Sequence, residues 1–207
     1  MTRPGVAAFD FDGTLSRRDT FVPFLARSCG WPRVVWAATA TGIIGRTMDR
    51  DRLKVAMVDR LFRGWPSDRL DARGKDYAAT LPAVLRPEMV ERVGWHQSEG
   101  HAVVVVSAGM GAYLRPLGDH LGLDDVLAVE LLTDSAGQHT GAVDGGVNNR
   151  GPAKVARLRA WIDGRFGPDA AVELWAYGDS SGDEALLADA DHPTWVGKRT
   201  TRRQASA

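Results

Sequence analysis

Residues 102–106 read Ala-Val-Val-Val-Val, an apolar run with four β-branched side chains in a row. A strand with one wet face would alternate polar and apolar residues, so this run implies a strand covered on both faces. Sheets of that kind are parallel, and their strands are joined by helices. The flanking sequence keeps that rhythm. A helix is expected over Pro87 to Glu99, opened by proline and stopped by Gly100, and another over Gly111 to Leu121. An apolar strand at Val126 to Leu131 leads to a turn-rich, hairpin-like stretch from Thr133 to Asn149. Helix returns at Gly151 to Ile162, strand at Val172 to Tyr177, helix at Asp183 to Ala188 and a short strand at Thr194 to Val196. The first strand is expected at Gly5 to Asp12, with Val6, Ala8, Asp10 and Asp12 on one face and Ala7, Phe9 and Phe11 on the other.

One stretch breaks the alternation. Asp19 to Thr80 has helical spacing nearly throughout, punctuated at Gly30-Trp31-Pro32, Gly45 and Gly64-Trp65-Pro66. Leu53, Met57, Leu61 and Phe62 form an apolar stripe, with Arg52, Lys54, Asp59 and Arg60 between them. The expected fold is therefore an α/β core of residues 1–16 and 82–207, with a mostly parallel sheet between helical layers, and a helical cap, residues 17–81, inserted after the first strand.

Composition narrows the function classes. With 207 residues, 44% apolar and 25% charged, the chain fits one sizeable domain carrying an insertion, and neither a disordered nor a fibrous class fits. Twenty-six basic side chains cancel 26 acidic ones, so no overall field draws the protein to nucleic acid or an anionic membrane. The single Cys29 excludes an internal disulfide framework and a thiolate metal cluster, which agrees with a reducing, cytoplasmic setting. The apolar run Val6 to Phe9 is met at once by Asp10 and Asp12, unlike a signal peptide. Val34 to Gly45, an uncharged stretch, is too short to span a bilayer needing ~20 residues. Trp31, Arg33 and Trp36 flank it, so two readings stay open: a helix buried in a small subdomain, or one making a weak peripheral membrane contact.

Chemistry belongs at the carboxyl ends of parallel strands, where ligands of such sheets bind. Four groups stand there: Asp10-Phe11-Asp12-Gly13-Thr14, Ser107 after the valine run, Lys154 at a helix start, and Gly178-Asp179-Ser180-Ser181-Gly182-Asp183. Singly, each has a plain structural explanation as a turn, a helix lead-in, a solvated charge or a cap.

In that order, the four resemble the motifs of the haloacid dehalogenase superfamily, and the helical insertion is similar to that of its phosphoserine-phosphatase-like branch. The resemblance covers nearly the whole chain. It implies a Rossmann-like three-layer core and a phosphatase in which Asp10 is the nucleophile, forming an aspartyl-phosphate, and Asp12 the general acid and base. It further implies that Ser107, the Ala108 amide and Lys154 hold the transferring oxygens, with Gly109 allowing close backbone approach. Mg²⁺ is the expected cofactor, held by Asp10, the Asp12 carbonyl and Asp179, with Asp183 completing the shell or orienting Lys154.

The leaving group is less legible. Relatives specific for phosphoserine carry a glutamate after the nucleophile loop and a cap arginine; here Asp19 takes the first place, and Arg46, Arg50, Arg52, Arg60 and Arg63 compete for the second. Phe21, Phe24, Trp31, Trp36 and Trp65 either wall a larger leaving group or form the core of the helical insertion. The basic stretch Lys198 to Arg203 is a solvated end or an aid to membrane contact. A small phosphate monoester is the expected substrate. A lipid phosphate such as phosphatidylglycerophosphate, a phosphomutase reaction and a response-regulator-like phosphoacceptor are the alternatives.

Overall fold

The computed structural model of the chain describes residues 3–44, 50–146 and 149–197. Arg46 and the basic stretch Lys198 to Arg203 lie outside these residues, as does the side chain of Arg50. The core is a five-stranded parallel sheet in the order β3-β2-β1-β6-β7, formed by β1 (Gly5–Phe9), β2 (Ala102–Met110), β3 (Asp125–Val129), β6 (Glu173–Gly178) and β7 (His192–Trp195). The valine run is fully covered, as the sequence requires: Val103 to Val106 are at most 2% exposed. Ala7, Phe9, Val103 and Val105 face one apolar layer, and Val6, Ala8, Val104 and Val106 the other. On the first side lie α5 (Pro87–Ser98) and α6 (Gly111–Leu121); on the second lie α7 (Pro152–Phe166) and α8 (Glu184–Ala188). This is the expected three-layer α/β architecture.

Several strand ends depart from the sequence reading. β1 stops at Phe9 rather than Asp12, because the chain turns over itself there: Thr14 and Ser16 both donate to the Phe11 carbonyl. β2 continues to Met110, but its register with β3 shifts between Val106 and Met110. Such an irregularity re-aims side chains at a strand end, here Ser107 and Ala108. The predicted Val126 to Leu131 strand divides at Glu130, after which β4 (Leu131–Thr133) and β5 (His139–Val143) form a separate antiparallel hairpin. Its turn is set by Asp134, whose Oδ1 accepts from the amides of Ala136 and Gln138.

Between β1 and β2 lie α1 (Phe21–Cys29), α2 (Trp31–Ile44), α3 (Arg50–Phe62) and α4 (Ser67–Ala78). Breaks fall at Gly30 and at Gly64-Trp65-Pro66, as the punctuation predicts. Phe24, Phe62, Tyr77 and Tyr113 form an aromatic cluster that joins this helical block to α6. The β4–β5 hairpin also binds the block: Gly64 N–H donates to His139 O at 2.8 Å, His139 N–H to Trp65 O at 2.8 Å and Ser67 N–H to Gly137 O at 2.9 Å. No described helix is long and apolar enough to cross a membrane.

Candidate active site

Strand order fixes where a site can form. From β1 the chain builds outward through β2 to β3, then crosses back to place β6 and β7 on the other flank of β1. The order therefore reverses at β1, and the crevice at its carboxyl end is the topological switch point. A cavity of about 400 Å³ opens there, lined by Asp10, Asp12, Asp179 and Asp183 from the core and by Phe21 and Lys54 from the helical block.

Asp10 follows β1 directly, and its amide still donates to Tyr177 O at 2.9 Å, which locks its backbone to the sheet. Its Oδ1 accepts from Lys154 Nζ at 2.5 Å, and the same ammonium donates to Asp183 Oδ1 at 2.5 Å. All three side chains are buried, Lys154 and Asp183 almost completely. Burial pushes the Asp10 carboxyl up to about 7, Lys154 opposes that shift, and Asp183 and Asp12 add to it. The Lys154 ammonium is held above its ordinary range, since its two carboxylate partners outweigh the desolvation that would lower it. Asp183 is fixed from a second side by Ser180, whose amide and hydroxyl donate to Oδ2 at 3.1 and 2.9 Å.

Asp10, Asp179 and Asp183 offer carboxylate oxygens within 4.8 Å of one another. One lysine faces three clustered carboxylates, so a divalent cation fits both the charge and the hard-oxygen donor set. Asp179, half-buried, is also raised, mainly by burial and then by Asp183. The turn that brings Asp179 near the first loop requires a glycine: Gly13 has φ +89°, and a Cβ there would collide with the Asp179 carboxylate.

Asp12 points into the cavity on the side of the helical block. Its Oδ1 accepts from the Thr20 amide at 2.9 Å and the Thr20 hydroxyl at 2.6 Å, and Tyr113 OH lies 3.2 Å behind that hydroxyl. Burial raises Asp12 to about 6 despite the Thr20 bond; Asp19 adds to the rise and Lys54 opposes it. A carboxyl so poised exchanges a proton near neutrality. Thr14, buried in the same loop, has no hydrogen-bond partner for its hydroxyl among the described residues.

Ser107, Ala108 and Asp19 line the same cavity, whereas Gly109 does not. The Gly109 amide instead donates to Ser107 Oγ at 3.0 Å and so orients the hydroxyl. Asp19 accepts from the Val22 amide at 3.2 Å, at the start of α1. Of the aromatic residues, Phe21 reaches the cavity, Phe24 and Trp65 are buried in the helical block, and Trp31 and Trp36 are 60% and 57% exposed. Arg52, Arg60 and Arg63 are exposed and none lines the cavity; Arg63 pairs with Asp59 at 2.6 Å.

Among the described residues, the cation that the helical block does supply is Lys54, which the sequence reading placed with the polar residues between those of the apolar stripe. Its Nζ donates to Ala108 O at 2.5 Å and sits 3.9 Å from the centre of the Phe21 ring. Burial lowers it to about 8, against the pull of Asp12, Asp19, Asp51 and Asp10. Two further residues were not foreseen. Asn149 donates to Ser107 O at 3.0 Å and Leu127 O at 2.6 Å, tying the ends of β2 and β3 to the lead of α7. Arg150 lines the cavity and fills the space that a side chain at Gly182 would take, with Nη2 donating to Ser181 Oγ at 3.3 Å.

Acidic loops, a hydroxyl and a buried lysine at the switch point of a parallel sheet define a class of α/β hydrolase built around a carboxylate. The chain belongs to the haloacid dehalogenase-like hydrolase family, whose model matches residues 7–188. Protein CicA of Caulobacter vibrioides is 35% identical over 193 residues, covering 91% of this chain and 84% of that protein. The inhibition of morphological differentiation protein of Streptomyces azureus is 29% identical over 157 residues, 73% of this chain and 54% of its own length. Among solved structures, a Bordetella pertussis Tohama I protein of unknown function superposes with a TM-score of 0.72 at 22% identity, covering 91% of this chain and 87% of that one. A substrate-bound phosphoserine phosphatase shares the fold with a TM-score of 0.59 at 21% identity, over 92% and 84% of the two chains.

Proposed function

We propose that the protein is a Mg²⁺-dependent phosphatase that hydrolyses a small phosphate monoester through an aspartyl-phosphate at Asp10. The observation that carries this reading is the Asp10 carboxylate at the switch point, gripped on Oδ1 by Lys154 and grouped with Asp179 and Asp183. The grip fixes the carboxylate's rotation, so its second oxygen is the one presented to phosphorus. Asp10, Asp179 and the backbone carbonyl of Asp12 would hold the ion, with Asp183 behind them. Bound there, Mg²⁺ supplies positive charge to the phosphoryl oxygens that an anionic nucleophile must approach.

The chain's own residues do the rest. Asp10 forms a bond to phosphorus as the ester oxygen departs, and Asp12 gives that oxygen its proton. Asp12 then takes a proton from water, whose oxygen attacks phosphorus and frees Asp10 and inorganic phosphate. The rise of Asp12 to about 6 supports both halves of this exchange. Ser107, the Ala108 amide and Lys154 steady the phosphoryl oxygens. Residues 17–81 act as a cap over the leaving group, through Asp19, Phe21 and Lys54 at the cavity wall.

The test is phosphate release from p-nitrophenyl phosphate in Mg²⁺. Asp10→Asn should lose roughly a thousandfold or more in turnover while folding normally, and EDTA should stop the wild type. Full activity in Asp10→Asn would end the reading. A phosphoryl group that stays on Asp10 without phosphate release would favour the phosphoacceptor alternative.

A further inference from the structure

We propose that the outward face of α2 is a docking surface for an anionic lipid bilayer. The helix buries one stripe, Val34, Ala37 and Thr41, against the rest of the helical block. Its opposite side carries Trp31, Val35 and Trp36, 60%, 56% and 57% exposed, with Pro32 and Thr39 also exposed between them. At about 100° per residue these five side chains occupy one arc of the helix. Even the threonine offers water little, because its hydroxyl donates to the helix's own carbonyls, Val35 O at 2.9 Å and Trp36 O at 3.0 Å. Single exposed apolar residues need no explanation, but two tryptophans and a valine sharing one helix face form a patch of the kind that marks an interaction site.

The surrounding charge selects the occupant. Arg33 stands exposed on α2, with Arg27 exposed on α1 and Arg69 and Arg73 exposed on α4. The charged groups that act on the Cys29 thiol, two residues before Trp31, are Arg33, Arg69 and Arg73, all of one sign. In a chain of zero net charge that concentration is local. Indole rings prefer the headgroup layer, and neighbouring arginines meet lipid phosphates. A second copy docked through the same face would set these arginines against their own images across a two-fold axis. A 14-residue helix lying flat satisfies the apolar face and the basic rim together.

Flotation of the full chain with vesicles of mixed phosphatidylglycerol and phosphatidylcholine, and of phosphatidylcholine alone, tests this without reference to catalysis. The wild type should float with the mixed vesicles only, less so as salt rises. Trp31→Ser/Trp36→Ser should bind roughly tenfold more weakly, given the indole area withdrawn from the interface, and Arg33→Gln roughly fivefold more weakly. Both variants alter exposed side chains, so circular dichroism and the thermal midpoint should match the wild type. Absence of flotation, equal binding to the neutral vesicles, or undiminished binding by the double tryptophan variant would each overturn the proposal. So would sedimentation equilibrium showing a wild-type dimer that the double variant abolishes, which would make a second copy the occupant.

Discussion

Lys154 and Lys54 are two cations at one cavity with different work to do. Lys154 is enclosed by Asp10 and Asp183 and its side chain is only 2% exposed, so truncating it leaves two buried carboxylates without a counter-charge. Lys154→Met should destabilise the fold by about 3–5 kcal/mol, read from urea unfolding without added metal. Lys54 bonds a single carbonyl and faces open cavity, so its loss should spare the fold and fall on the substrate. Lys54→Met should lower kcat/KM by about 10–100-fold for a substrate with an anionic leaving group, and less for p-nitrophenyl phosphate. Equal losses on both substrates would show that Lys54 merely holds the helical block in place. The two lysines also differ in how visible they were. Lys154 stands at a helix start among ordered motifs at strand ends, whereas Lys54 lies between Leu53 and Met57 in a stripe whose polar neighbours are mostly solvated. Nothing in helical spacing separates a lysine facing water from one facing a cavity formed by another part of the chain.

Elements of the α/β core announce themselves by periodicity, and the sequence places all five parallel strands and the helices between them. What it cannot give is how distant elements are fastened. The β4–β5 hairpin reads as a turn-rich connection, yet its backbone pairs with residues 64–67, some 70 positions earlier. Pairing of that range depends on main-chain groups that carry no sequence signature. A second fastening is a strut of side chains: His96 on α5 reaches Tyr177 OH on β6 through Nε2 at 2.9 Å and His101 Nδ1 through its own Nδ1 at 2.8 Å. The contact between the two Nδ1 atoms accommodates one proton. Burial, with His101 and Arg92 adding, lowers His96 to about 4. The unfolded chain, with an ordinary histidine near 6.5, therefore binds the extra proton between those values. Stability from this strut is complete above pH 6.5 and declines as pH falls toward 4, by up to ~3 kcal/mol. Urea midpoints at pH 7.5 and 5 should show the decline in the wild type and a smaller one in His96→Gln.

At the scale of the whole molecule, the site is a junction that exists only when the chain is folded. Asp10 comes from the end of β1, Asp179 and Asp183 from beyond β6, and Lys154 from α7, so their oxygens and nitrogen converge across more than 140 positions of sequence. In the unfolded chain these carboxylates are far apart and fully hydrated. A divalent ion binding the cluster thus binds the native state almost alone and stabilises it by mass action. At an ion concentration about 100-fold above its dissociation constant the gain is about 2.7 kcal/mol, which for a chain of this length corresponds to a rise in Tm of roughly 5–10 °C. Thermal unfolding with and without Mg²⁺ should show that rise in the wild type. Asp179→Asn should abolish it and, by removing one of three crowded carboxylates, leave Tm without metal unchanged or slightly higher. A wild type whose Tm ignores Mg²⁺, or an Asp179→Asn variant that keeps the full rise, would place the ion elsewhere or nowhere. The same melt separates two roles of the acidic loop: an Asp183→Asn variant, which weakens the hold on Lys154 and Ser180, should lower Tm before any metal is added.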